Sequence, residues 1–429
     1  MTGGGPPRAT YHGVFAVREF RAVWLAELLS VAGDRLALVA LTLLVYDRTR
    51  SPLLAAVTWA AGYLPWVIGG LFLASLADRR PRRSVMVTCD AVRAVLVAAM
   101  AIPHLPIWAL VALLFVVTMF APPFESARAA VTTDILQGER YALGTAALQT
   151  TLMSGEVAGA VGGGVAVAFL GVGPSLVIDS VTFVVSGLLI GLGVRARPAA
   201  AAPQTARPSS LVRMREGFHL IFGHRALRIL VLLAWLAAFY TIPQAVAAPY
   251  VHRLGGGPIA TGLVVASTVL ATMIATPLFT RFVRPRRRLA LMGPLAVLTC
   301  ATLVLTAFRP GLAVSPVIFS VSAAFGIYQI AANTAFVVRV PNEQRAQAFG
   351  LANMGVIVGQ GAAYVAAGAA AEVVSPAVVI AIGGAIGAVM AAVLTLSWRR
   401  ESPFGGRHAA GRRNGHAAVG TSVPLRGSR

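Results

Sequence analysis

The chain has no lysine, and charge of either sign is scarce: 36 arginines and 15 acidic residues make up 12% of 429 residues. Soluble domains carry about a quarter charged residues, so water is not the main solvent of this chain. Cysteine is nearly missing too. Cys89 and Cys300 each fall inside an apolar run, which argues against a disulfide framework and leaves too few ligands for a metal site. No histidine lies within an apolar run to pair with a serine or carboxylate, and no Walker-type phosphate loop follows a strand-like segment. These absences argue against an enzyme, an ATPase, a bound metal and a cofactor. What remains is apolar: 57% of the residues are hydrophobic and the mean hydropathy is +0.77.

A net charge of +21 invites nucleic acid as a partner, but the arginines argue otherwise. Most sit in short clusters at the ends of apolar runs, where the positive-inside rule accounts for them, and no mixed aromatic and basic surface is evident. The anionic inner leaflet of the bilayer is the expected electrostatic partner.

A helix needs about 20 apolar residues to cross the hydrocarbon core. Runs of that size centre near residues 34, 64, 94, 115, 156, 183, 239, 270, 298, 325, 358 and 387, which predicts twelve membrane spans. Clusters at Arg79 to Arg83, Arg195 to Arg228, Arg281 to Arg288 and from Arg399 onward place both termini in the cytoplasm of a cell-membrane protein. The expected organisation is a cytoplasmic tail (1–20), a six-helix bundle (21–194), a linker running into a surface helix (195–226), a second six-helix bundle (227–398) and a disordered tail (399–429). The expected fold is all-α, and a monomer is expected.

Between the second and third runs, Asp78-Arg79-Arg80-Pro81-Arg82-Arg83 forms a tight polar turn. Arg80-Pro81-Arg82-Arg83 returns as Arg284-Pro285-Arg286-Arg287, with Phe282 where the first copy has Asp78. Glu139-Arg140 before Gly144 is echoed by Glu343-Gln344-Arg345 before Gly350, at offsets of 204 to 206. Such a parallel duplication places substrate between the halves, near the midplane. The gating reading takes Asp78, Arg79, Arg82 and Arg83 as an ionic latch. The plainer alternative is that the arginines only fix topology.

Residues 70 to 83, with Gly70 ahead of Ala77-Asp78-Arg79-Arg80-Pro81-Arg82-Arg83, resemble the loop 2–3 signature of the major facilitator superfamily, with Ala74 and Pro81 in place of two glycines. Phe20-Arg21 with Trp24, Gly33-Asp34, Asp90 with Arg93, and Ile178-Asp179 with Phe183 resemble the twelve-span drug:proton antiporter branch that includes macrolide and enterobactin exporters. Gly155, Gly159 and Gly163 lie in a stretch similar to the superfamily's antiporter signature, with Ala160 at the usual proline. By spacing alone these glycines share one helical face, so a neighbouring helix can approach closely or the span can bend there.

Charges at membrane depth are functional candidates by default. Glu27, Asp34, Arg35, Asp90, Arg93, Glu156 and Asp179 all fall in the first half. Asp34, Glu156 and Asp179 are the candidates for proton coupling, against the alternative that they serve packing. Asp90 and Arg93, three residues apart, read as a buried ion pair. The second half has no acid at mid-depth. Gln244, Tyr328, Gln329, Asn333 and Asn353 are the expected polar and aromatic cavity wall there. The resemblance implies proton-coupled efflux of an amphipathic, drug-like small molecule by alternating access. Export of a siderophore or other self-made metabolite, or a non-transporting membrane sensor or scaffold, are the alternatives.

Overall fold

The computed structural model describes residues 10–73, 80–197 and 210–401. Asp78 and Arg79, the middle of the linker, residues 1–9 of the first expected tail and most of the second lie outside the described residues.

Among the described residues, eleven helices are long and apolar enough to cross a membrane. They are α1 (Arg18–Thr49), α2 (Pro52–Gly70), α4 (Ile107–Ile135), α5 (Glu139–Leu170), α6 (Val172–Gly193), α7 (Arg225–Ala245), α8 (Pro258–Phe282), α9 (Arg287–Phe308), α10 (Ser315–Arg339), α11 (Gln347–Val373) and α12 (Pro376–Glu401). The remaining span, α3 (Arg82–Met100), packs among them at similar length, but Arg83, Asp90 and Arg93 lower its apolar content. The twelve spans form two pseudo-symmetric six-helix bundles. Lesser helices lie outside them, among them Tyr11–Phe15, Ala247–Arg253 and Ser210–Gly223, the last in the linker where a surface helix is expected. The last helix continues to Glu401, slightly past the expected start of the tail.

Apolar residues surround many of these helices on all sides, so the sequence says little about which face packs. Close approach decides it. Added to Gly159, a Cβ would lie 2.2 Å from the Ala32 carbonyl oxygen, and at Gly163 it would lie 3.1 Å from the Leu36 backbone. Gly155 meets Val31 in the same way. The three glycines therefore seat α5 against α1, and α5 runs as one uninterrupted helix. Close approach is their observed role.

The halves keep related architectures. The α3–α6 packing of the first is matched by α9–α12 in the second. Both α4 and α10 break near their middles, at Phe120 and at Gly326, at the repeat's own offset. α7 is broken at Leu236 and at Thr241, just before Pro243. Unwound turns at membrane depth are tolerated where they line a cavity or are buried in protein.

Two seams join the halves at the arginine-poor face, α2 with α11 and α5 with α8, as repeat symmetry requires. In the second seam, a Cβ at Gly262 would lie 2.4 Å from the Ala160 carbonyl oxygen, and one at Gly164 would lie 2.6 Å from that of Pro258. In the first, α1 ends at Arg50 in the left-handed region (φ 54°), and the turn lets Ser51 cap α2 by accepting the Leu54 N–H at 3.1 Å. Glu372 of α11 reaches the same helix start, taking the Ser51 hydroxyl and the Leu53 N–H, the latter at 3.0 Å. A carboxylate at a helix N-terminus faces unpaired N–H groups and the positive end of the dipole. These contacts close the arginine-poor face.

Candidate functional site

Beneath that closed face lies a cavity of about 310 Å³ among α1, α2, α3, α4 and α5, with Ile357 of α11 at its edge. Its wall carries Glu27, Asp34, Arg35, Arg93, Glu125 and Glu156. Arg35 holds Glu156 at 2.7 Å and donates a second bond to the Tyr63 hydroxyl at 2.8 Å. Tyr63 sits in the break of α2, and the guanidinium also lies 5.8 Å from its ring centroid and 5.9 Å from that of Trp59. Stacking on aromatic faces suits a guanidinium better than a hydrated ammonium.

Arg93 is the second anchor. It is 2% exposed, lies over the Phe183 ring at 4.2 Å, ion-pairs with Asp34 of α1 and donates to the Ser30 hydroxyl at 3.1 Å. The direct contact of Arg93 is thus with Asp34, while Asp90, its partner expected from sequence, stays within electrostatic reach. Asp90 accepts the Ser186 hydroxyl at 2.7 Å, because α6 packs directly on α3 and offers a donor where the i,i+3 partner points toward α1. Asp179 is fully buried beside Gly33, where an added Cβ would lie 2.1 Å from its Oδ1. Thr182 donates to that oxygen at 3.3 Å, and Oδ2 has no hydrogen-bond partner. Asp34, Asp90 and Asp179 thus surround a single guanidinium.

A second cavity, about 210 Å³, is lined by Tyr240, Thr241, Gln244, Thr268 and Phe319 of the second half and by Met153 and Glu156 of the first. Glu156 lines both cavities. The two are linked by side chains. The Tyr63 ring meets that of Tyr364 with centroids 5.7 Å apart, and the Tyr364 hydroxyl donates to Thr241 at 3.0 Å.

The expected neutral wall divides. Gln244 lines the second cavity and donates to Thr268 at 3.2 Å. Gln329, Asn333 and Asn353 line a separate cavity of about 400 Å³ in the second half. Tyr328 lines none of these; it is fully buried, its hydroxyl donating to the Leu233 carbonyl at 2.7 Å, because the break after Gly326 turns it into the packing between α10 and α7. In the gating loop, Arg82 ion-pairs with Asp134 and donates to the Ala130 carbonyl at 3.1 Å, and Arg83 donates to that of Gly191. The described part of the loop thus binds α3 to α4 and α6.

Glu125, Arg128 and Asp134 went unread in the sequence. The fourth run centres near residue 115, so these residues fall toward or beyond the end expected for a span of about 20 residues. The structure instead places Pro122 and Pro123 in the first turn after the Phe120 break, where a missing N–H costs nothing, and the helix continues to Ile135. The signal that was available is the i,i+3 pair of Glu125 and Arg128, opposite charges on one helical face.

Two six-helix halves around a charged cavity, closed at one face, define a multi-pass membrane transporter. The chain belongs to the Major Facilitator Superfamily, whose pattern matches residues 23–356. No curated protein matches it in sequence. Among solved structures, the chain is similar to a bacterial homologue of the human lysosomal transporter Spinster in an inward-facing, unoccupied conformation (16% identity, TM-score 0.62, covering 94% of this chain and 97% of that one). It is also similar to the nucleoside transporter NupG (13%, TM-score 0.68, 88% and 99%) and to a peptide transporter of the POT family in complex with sulfate (11%, TM-score 0.71, 92% and 96%). At these identities the likeness establishes the fold.

Proposed function

We propose that the protein exports an amphipathic, drug-like small molecule across the cell membrane in exchange for protons, acting as a monomer with both termini in the cytoplasm. The observation that carries this reading is the position of Glu156, a carboxylate shared by a charged cavity and a neutral one. In this scheme the neutral cavity takes the apolar body of the substrate, and the charged one takes the proton.

Ionised Glu156 holds Arg35 and, through Tyr63, the break in α2. A proton on the Glu156 carboxylate removes half of that ion pair and frees Arg35, so occupancy of one cavity changes the wall of the other. Asp34 stands to Arg93 as Glu156 stands to Arg35, and Asp179 is the third carboxylate in reach. The arginine-rich face is taken as cytoplasmic, with Asp78 and Arg79 completing a latch that Arg82 and Arg83 anchor to α4 and α6. The closed face then makes this the inward-facing state.

The test is a compound panel, including self-made metabolites, in a strain stripped of its main efflux pumps. The protein is expected to raise tolerance to at least one amphipathic compound, and Glu156→Gln, still present in the membrane, is expected to lose that tolerance. Tolerance that survives Glu156→Gln at equal protein level contradicts the reading.

A further inference from the structure

Glu27 has no part in the scheme above, yet it is the more deeply buried of the two carboxylates that α1 turns to the charged cavity. It lies seven residues before Asp34, about 10.5 Å along the axis and on the same face. Its side chain is 1% exposed, and neither oxygen has a hydrogen-bond partner. Arg128 Nε stands 3.1 Å from Oε2 but not in hydrogen-bonding geometry, and the same arginine is ion-paired with Glu125 through Nη2. Two carboxylates therefore compete for one guanidinium. The groups that face Glu27 are Glu125 and Arg128 of α4 and Arg93 of α3, while Asp179 and Glu156 approach α1 further along, at Gly33 and Arg35.

Arg128 contacts both Glu27 and Glu125, which brings the two carboxylates together at one guanidinium. Two ionised carboxylates have only acceptors to offer, so a bond between them forms only when one of them carries a proton. A buried carboxylate with no donor, beside a second carboxylate and a single arginine, is otherwise an uncompensated charge. Glu125 is 27% exposed and lines the cavity, so a proton reaches the pair through it.

We propose that Glu27 and Glu125 form a second proton-binding site, in which one proton is shared between the two carboxyls and held beside Arg128. Ser30 lies between Glu27 and Asp34 on α1 and already contacts Arg93, so the pair stands at the foot of a polar track leading to Asp34. Its use in transport rests on the proton-coupled reading above; the existence of the site does not.

The probe is the proton itself. Full-length protein reconstituted in liposomes is titrated with pH while the infrared band of protonated carboxyl groups is recorded. The wild type is expected to show a titrating component that Glu27→Gln and Glu125→Gln each abolish, and that Asp34→Asn and Glu156→Gln leave in place. Should Glu27→Gln fail to fold, Glu125→Gln, at the partly exposed position, carries the test alone. A spectrum that neither variant changes overturns the proposal, as does a component lost in Glu27→Gln but intact in a folded Glu125→Gln. The readout needs no transported substrate, so its failure leaves the export reading standing, and a protein that exports nothing still shows the band if the site exists.

Discussion

At the scale of single residues, Arg93 bears the most. Three acids surround its guanidinium, and the side chain is almost wholly out of contact with solvent. Arg93→Ala leaves those carboxylates without their cation, and breaking a buried pair from one side costs about 3–5 kcal/mol. The expected outcome is a large fall in melting temperature of the purified protein, with Asp34→Asn much milder because Asp34 is 40% exposed. Equal melting temperatures for Arg93→Ala and wild type contradict that geometry. The acids themselves were legible, since any charge in an apolar run stands out. Their partners were not: Arg93 reaches Asp34 across 59 positions and Arg35 reaches Glu156 across 121, and sequence spacing instead favoured Asp90, three residues away.

Helices and loops are the next scale, and here the glycines of α5 set the fold. Gly159 lies against the Ala32 carbonyl, whereas Gly162, three residues on, has open space at its Cβ. Gly159→Ala is expected to destabilise by about 1–3 kcal/mol, as overpacked contacts do, while Gly162→Ala stays neutral or gains slightly from helix propensity. Thermal melts of the two alanine variants check this, and equal effects contradict the account. Span number and repeat were readable because apolar runs and arginine clusters alternate along the chain. The true length of α4 was not, because the residues after its break fall toward or beyond the end expected for its run. Whether glycines bend or seat a helix was equally hidden, since both readings share one spacing and only the facing backbone decides.

The whole molecule is held in its present state by two symmetric seams at the arginine-poor face. Glu372 joins the halves there by capping α2 from α11, and such a carboxylate at a helix N-terminus contributes about 1 kcal/mol, a roughly fivefold shift between two conformations. Glu372→Gln is expected to raise the population open at that face, read as longer spin-label distances between the adjoining ends of α2 and α11; an unchanged distribution contradicts this. The central claim, exchange of substrate for protons through Glu156, is tested most directly in everted membrane vesicles with an acidified lumen. Adding a compound to which the protein confers tolerance is expected to alkalinise the lumen with the wild type and to leave it acidic with Glu156→Gln. Export of that compound with no movement of protons, or lumen alkalinisation that Glu156→Gln leaves intact, contradicts the account.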